Sequence, residues 1–226
     1  MLRDNIREVF SEAKERGWVM EPQTKTLLSL AGMDVPRFCF ARDVGEAIQF
    51  ANEITYPVVA KVVSPEVIHK SDVSGVVVGV RDDKQLGEVF AGLRKIRGFQ
   101  GIIVEETCRG IELIVGMKMD NQFGPVILLG MGGTAVEIYK DAALRMAPLC
   151  EQDTESMFKS LRARPLLEGY RGAAGVNIDE LKRMLLVFSN LVMEFGKEVE
   201  SVDLNPVICN ASRCVVADAR IMLAKL

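Results

Sequence analysis

The chain has 226 residues, 49% of them hydrophobic, and a formal net charge of −3. That is enough length and apolar matter for one generous domain or two small lobes, each with a buried core. The slight negative balance, with Lys and Arg spread along the chain, argues against nucleic acid, which calls for a basic face, and no run approaches the roughly 20 apolar residues that cross a bilayer.

In chain order, Ile6 to Gly32 reads as two helices broken near Gly17 to Pro22, with Leu27, Leu28, Leu30 and Ala31 as an apolar face and Gly32 as a C-cap. Val35-Pro36 opens a strand that runs through Cys39 or Phe40. A helix is predicted over Val44 to Glu53, a strand over Pro57 to Val63, another over Val76 to Val80, and a helix from Lys84 to about Lys95. The first hundred residues thus alternate strands with helices, the mark of an α/β layer. Beyond Gly98 the texture changes. Gly101–Glu105, Ile111–Met119 and Pro125–Leu129 read as consecutive strands, with Asp120-Asn121-Gln122 as a turn and Glu137–Tyr139 as a further extension of the sheet. Helices follow near Thr154–Arg162 and Ile178–Phe195, then two closing strands, Ser201–Cys209 and Cys214–Leu223. This pattern divides the chain into an N-terminal helical segment (1–20), a first lobe (21–103) and a second lobe (104–226).

Five cysteines (Cys39, Cys108, Cys150, Cys209, Cys214) show no C-x-x-C spacing and are odd in number, so they read as reduced thiols. The start, Met1-Leu2-Arg3-Asp4-Asn5, has mixed charge and no apolar core of a signal peptide. Both features lead us to expect a cytoplasmic protein.

The closing hairpin carries the most chemistry. Asp203 and Asn205 are two apart on one strand and share a face. A four-residue turn at Asn210–Arg213 pairs Cys209 with Cys214, and that register sets Asn205 opposite Asp218. A carboxylate, an amide oxygen and a second carboxylate nearby suit Mg²⁺, which takes few protein oxygens and completes its shell with water and phosphate. The same register also describes a solvated hairpin in which Asp203 simply faces Arg220.

Lys61 lies in the apolar strand Pro57–Val63, where its charge needs either a negative partner, such as a phosphate, or a way out to water. His69, the single histidine, sits in Ser64-Pro65-Glu66-Val67-Ile68-His69-Lys70-Ser71-Asp72-Val73-Ser74-Gly75. An imidazole can take a phosphoryl group covalently, although lone histidines also serve structure alone. Gly130-Met131-Gly132-Gly133-Thr134 follows an apolar strand, and its backbone N–H groups either converge on an anion or simply form a tight strand exit. Glu105, Glu106 and Thr107 end a strand at the expected lobe junction, with Glu112 just beyond. There, backbone groups and an acid could hold adenine and ribose, or the acids could be ordinary surface charges.

Taken together, these segments resemble the nucleotide-binding (beta) subunit of ADP-forming acetyl-CoA synthetases, the NDP-forming acyl-CoA synthetase family. The resemblance rests on Tyr56-Pro57-Val58-Val59-Ala60-Lys61, the stretch Ser64 to Val73, Gly110-Ile111-Glu112 and Phe123-Gly124-Pro125-Val126-Ile127. It continues through Gly130-Met131-Gly132-Gly133, Val136-Glu137, Gly169-Tyr170-Arg171-Gly172, Asp203-Leu204-Asn205-Pro206 and Ala217-Asp218-Ala219-Arg220. These run in the family's order from about residue 20 to the C-terminus.

The resemblance implies an ATP-grasp fold, a mixed α+β and α/β architecture in which nucleotide lies between two lobes. It implies ATP/ADP and Mg²⁺ as cofactors, and the reversible reaction of acyl-CoA, ADP and phosphate to carboxylic acid, CoA and ATP. By position, Lys61 matches a phosphate-contacting lysine, Glu105 and Glu112 match hinge and ribose acids, and Glu106 is the neighbouring alternative to Glu105. Asn205 and Asp218 match the magnesium ligands of the related succinyl-CoA ligases, with Asp203 as an acid beside them. His69 matches a histidine that carries a phosphoryl group from a partner to ADP. One departure stands out: Ser74 sits where glycine is expected. The chain shows no G-x-G-x-x-G after a first strand, so the partner is expected to be a CoA-binding (alpha) synthetase subunit in a heterotetramer. Two rival readings are an ATP-grasp carboxylate–amine ligase, which has no need of His69, and a non-catalytic nucleotide-sensing module.

Overall fold

A computed structural model describes residues 2–133 and 141–225. The chain forms two compact units, Pro36–Cys108 and a larger one assembled from Met1–Val35 and Arg109–Leu226.

The smaller unit holds strands β2 (Phe38–Ala41), β3 (Val58–Val63), β4 (Val76–Val80) and β5 (Gly101–Glu106), in the order β2-β5-β3-β4. Helices α3 (Val44–Ile54) and α4 (Asp83–Leu93) belong to the same unit. Each begins at an aspartate whose side chain accepts from a backbone N–H in the first turn, Asp43 from Glu46 at 3.0 Å and Asp82 from Gln85 at 2.8 Å. Such caps contribute about 1 kcal/mol each. Ala47, Ala51, Leu86, Phe90 and Leu93 from the helices pack with Val58, Ala60, Val62, Ile102 and Val104 of the sheet. The alternate residues Val59, Lys61, Ile103 and Glu105 therefore lie on the opposite sheet face.

The larger unit contains α1 (Leu2–Ala13), β1 (Trp18–Val19), α2 (Glu21–Leu30), β6 (Ile111–Asp120), β7 (Gly124–Met131) and β8 (Ala142–Met146). It continues with α5 (Glu151–Ser160), α6 (Arg164–Glu168), α7 (Ile178–Phe195), β9 (Val199–Cys209), β10 (Cys214–Val216) and β11 (Ala219–Leu223). Its seven strands run β1-β11-β9-β6-β7-β8, with β10 also on β9. Along α7, Leu181, Met184, Leu185, Phe188, Leu191, Val192 and Phe195 recur at helical spacing and are all buried in one core with β6, β7 and β9. Asn177 caps this helix by accepting from the Glu180 N–H at 3.1 Å.

Every ladder among the described strands is antiparallel. The strand–helix alternation of the first hundred residues therefore does not mark a parallel sheet. The division of the chain also differs from the boundaries expected at residues 20 and 103. Residues 1–35 join the larger unit because Trp18 and Val19 pair with Met222 and Ile221, and Phe10 packs against Phe195 with ring centroids 5.3 Å apart. The expected extension at Glu137–Tyr139 lies outside the described residues. Among the described residues, no helix is long and apolar enough to cross a membrane.

Candidate active site

Lys61, His69, Glu105, Glu106 and Thr107 belong to the smaller unit; Glu112, Gly132, Gly133, Asp203, Asn205 and Asp218 belong to the larger.

In the smaller unit, the pairing of β3 with β5 sets Val59 opposite Glu105 and Lys61 opposite Ile103. Lys61 and Glu105 are thus diagonal neighbours on one face, a separation that long side chains bridge. Their Nζ–Oε1 distance is 2.7 Å, and the residues are only 5% and 2% exposed. This settles what the sequence left open about Lys61: it is buried and ion-paired, not snorkelling to water. It also changes the reading of Glu105, whose carboxylate meets Lys61 inside the sheet. Two charges in otherwise apolar facing strands were the available signal, but the strand register was needed to connect them. Glu106, the next residue and on the other face, accepts from the Arg37 N–H at 3.1 Å, while the Thr107 hydroxyl donates to the Pro57 carbonyl at 2.8 Å.

His69 is exposed, at the head of a 3-10 turn over Lys70–Val73 in the connection from β3 to β4. The connection is anchored at both ends. At its start, buried Ser64 donates through Oγ to the Arg97 carbonyl at 2.7 Å and accepts from the Glu66 N–H at 3.1 Å, and Glu66 ion-pairs with Arg97. At its end, the Gly75 carbonyl accepts from the Val62 N–H at 2.8 Å. A Cβ on Gly75 would stand 2.6 Å from a Val62 methyl carbon, so only glycine fits there.

In the larger unit, the closing hairpin has the register expected from its turn. Cys209 faces Cys214, Arg220 faces Asp203, and the Asn205 N–H donates to the Asp218 carbonyl at 3.1 Å. Inward residues along β9 are Val202 and Leu204, then Val207 and Cys209, so the alternation skips a residue at Asn205-Pro206. The β6–β9 ladder shifts at the same place, between Leu113 and Val115. Such a bulge re-aims a side chain, and Asn205 is exposed here. Asp203 takes the ion-pair arrangement, with Arg220 at 3.1 Å, and Asp218 Oδ1 accepts from the Ala219 N–H at 2.9 Å.

No group of three or more His, Cys, Asp or Glu suited to a metal occurs among the described residues. A metal here would rest on the exposed Asn205 amide and the half-buried Asp218 carboxylate opposite it. That donor set fits Mg²⁺, which needs only one or two carboxylates from the protein.

The glycine run resolves differently from an open anion cradle. The Gly132 N–H donates to the Glu112 carbonyl at 2.7 Å, and a Cβ on Gly132 would stand 2.7 Å from the Glu112 carbonyl carbon. Gly132 is thus a tight strand exit laid on Glu112. Gly133 has φ +71°, and a Cβ there would come within 3.5 Å of Glu112 Oε2. Thr134 lies outside the described residues, as do Val136 and Glu137 of the family resemblance.

The chain thus consists of two α+β units with antiparallel sheets, one holding a buried lysine and the other an Asn–Asp pair on a bulged hairpin. The model of the ATP-grasp domain matches residues 11–223, and the chain belongs to that family. The beta subunit of ADP-forming acetate–CoA ligase I from Pyrococcus furiosus is 38% identical over 226 residues, covering 96% of this chain and 97% of that subunit. ADP-forming acetate–CoA ligase I of Archaeoglobus fulgidus is also 38% identical, but this chain spans only 34% of its length. Among solved structures, the dinucleotide-forming acetyl-coenzyme A synthetase 1 of Candidatus Korarchaeum cryptofilum matches with a TM-score of 0.86 and 38% identity. The match covers 97% of this chain and 100% of that one. That structure holds coenzyme A and Mg-AMPPCP, with its phosphohistidine segment pointing towards the nucleotide binding site.

Proposed function

We propose that this chain is the ATP-grasp subunit of an ADP-forming acyl-CoA synthetase, and that it passes a phosphoryl group through His69 between a partner subunit and Mg-ADP. The observation that carries this reading is the exposed His69 on a loop anchored at both ends, in a chain related to acetate–CoA ligase beta subunits.

Towards ATP, a neutral ring nitrogen of His69 attacks the γ-phosphorus; the N–P bond forms as the P–O bond to ADP breaks, and ADP leaves. In the direction of ATP synthesis the same bonds exchange in reverse. Lys61, held in place by Glu105, meets phosphate oxygens and offsets charge between them. Asn205 and Asp218 would hold the magnesium ion, which when bound neutralises phosphate charge. Glu106, Thr107, Glu112 and the Gly133 backbone are the remaining candidates for the nucleoside and phosphates.

The partner in this reading is a CoA-binding alpha subunit, in a cytoplasmic heterotetramer. The test is ATP formation from acetyl-CoA, ADP and phosphate by the reconstituted pair. His69→Asn should abolish it while nucleotide still binds. Undiminished turnover by that variant would sink the relay through His69, and no turnover by either protein while nucleotide binds would favour the carboxylate–amine ligase reading instead.

A further inference from the structure

The His69 connection contains a strained residue. Ser74 has φ +53° and ψ +34°, the left-handed region, where a side chain crowds its own backbone. It occupies the position that ends the 3-10 turn. The Ser74 N–H donates to the Ser71 carbonyl at 3.2 Å and the Gly75 N–H to the Lys70 carbonyl at 2.7 Å. This two-bond closure at the end of a helical turn favours glycine, because glycine adopts the left-handed region without strain.

The surroundings of Ser74 divide sharply. Ser64 and Gly75 are buried, the first bonded to Arg97 and the second to Val62 of β3, and Pro65, Val67 and Lys70 are half-buried, whereas Ser71, Asp72, Val73 and Ser74 are all exposed, as are Glu66, Ile68 and His69. Ile68 and Val73 are apolar yet 39% and 42% exposed. Packing therefore holds the ends of the segment and also Val67, which is half-buried against the core of the smaller unit, while the hydrogen bonds of the turn latch Lys70–Val73. A serine at the closing position weakens that latch.

We infer that Ser74 is a positioning residue for His69: its strained backbone keeps the Lys70–Val73 turn weakly latched, so that the segment releases between fixed pivots at Ser64 and Gly75. The role in phosphoryl transfer rests on the relay reading above; the weak latch does not. The pivots also bound the movement. Five residue steps separate Ser64 from His69, so His69 stays within about 17 Å of Ser64 however far the turn opens.

The test uses the full chain with its partner subunit and compares wild type, Ser74→Gly and Ser74→Ala. Hydrogen exchange at the Ser74 and Gly75 amides reads the latch directly. Relieving the strain should raise their protection about threefold to fivefold in Ser74→Gly, net of glycine's greater freedom when the turn is open. Ser74→Ala, which keeps a Cβ, should gain none. Equal protection in wild type and Ser74→Gly would overturn the latch. The rate of His69 phosphorylation at saturating Mg-ATP should fall several-fold in Ser74→Gly, with nucleotide affinity unchanged. A rate that does not follow the protection would overturn the positioning role. Absence of any label on wild type would defeat the relay reading, leaving the exchange comparison to decide the latch by itself.

Discussion

Lys61 and Glu105 form a 2.7 Å ion pair across two adjacent strands, with almost no exposure of either side chain. Burying two charges costs several kcal/mol per ion, offset only when both are present. Removing one partner should therefore be worse than removing both. Lys61→Met and Glu105→Leu are each expected to lower stability by about 3–5 kcal/mol, and the double variant to recover much of that loss. Urea denaturation checks this. Losses in the double variant equal to the sum of the singles would show that the two side chains do not depend on each other.

The same lysine gives a binding prediction. If Glu105 holds the ammonium in place for phosphate, Lys61→Met should weaken Mg-ADP by at least about tenfold, a loss near 1.4 kcal/mol. Calorimetric titration on folded protein measures it. Unaltered affinity would reduce Lys61 to a purely structural charge.

On the closing hairpin, Asp218 and Asn205 should differ from their neighbour Asp203. The carboxylate of Asp203 is already matched by Arg220 at 3.1 Å, whereas Asn205 is exposed at a bulge directly opposite Asp218. Asp218→Asn and Asn205→Ala should raise the Mg²⁺ concentration needed for nucleotide binding about tenfold or more. Asp203→Asn should raise it less. Titrating Mg²⁺ at fixed nucleotide separates the three, and an equal response from all of them would contradict the assignment.

Gly132 should tolerate no side chain. A Cβ would stand 2.7 Å from the Glu112 carbonyl carbon and 2.8 Å from its oxygen. Because backbone atoms cannot swing aside, Gly132→Ala is expected to cost about 1–3 kcal/mol, measured as a lowered denaturation midpoint. A midpoint within error of wild type would mean that the strand exit yields more easily than its geometry implies.

Thiol reactivity should follow burial. Cys150 is exposed, Cys39 and Cys108 are half-buried, and Cys209 and Cys214 are buried against each other. Donating a hydrogen bond to Cys214, and then burial, push the Cys209 thiol well above its ordinary range, which keeps it protonated and unreactive. A maleimide should modify Cys150 first and the Cys209–Cys214 pair only on unfolding. Mass spectrometry of quenched samples gives the order.

Much of this architecture was legible in the residues. The hairpin register followed from one four-residue turn, because pairing two strands at a turn fixes the later pairs as far as the next bulge, here between Met222 and Leu223. The apolar spacing of α7 marked its full length, and the glycine expected at Ser74 matches a left-handed backbone there. Other features depended on tertiary context. Two-residue β1 exists only through its pairing with β11, and that pairing moves the first 35 residues into the larger unit. Strand β8, Ala142-Ala143-Leu144-Arg145-Met146, carries no turn signal at its start, and only its ladder with β7 identifies it. The role of Glu105 was hidden for a similar reason. As a residue it resembles its neighbour Glu106, and only the β3–β5 ladder turns it towards Lys61.

The most direct test of the central claim is covalent labelling of His69. Purified chain, with and without its partner subunit, is incubated with Mg²⁺ and γ-³²P-ATP, and acid-labile, base-stable label is followed on wild type and His69→Asn. The account predicts label on wild type that ADP removes as ATP, and none on the variant. Equal labelling of both proteins, or no label on wild type while Mg-ATP binds, would contradict the relay.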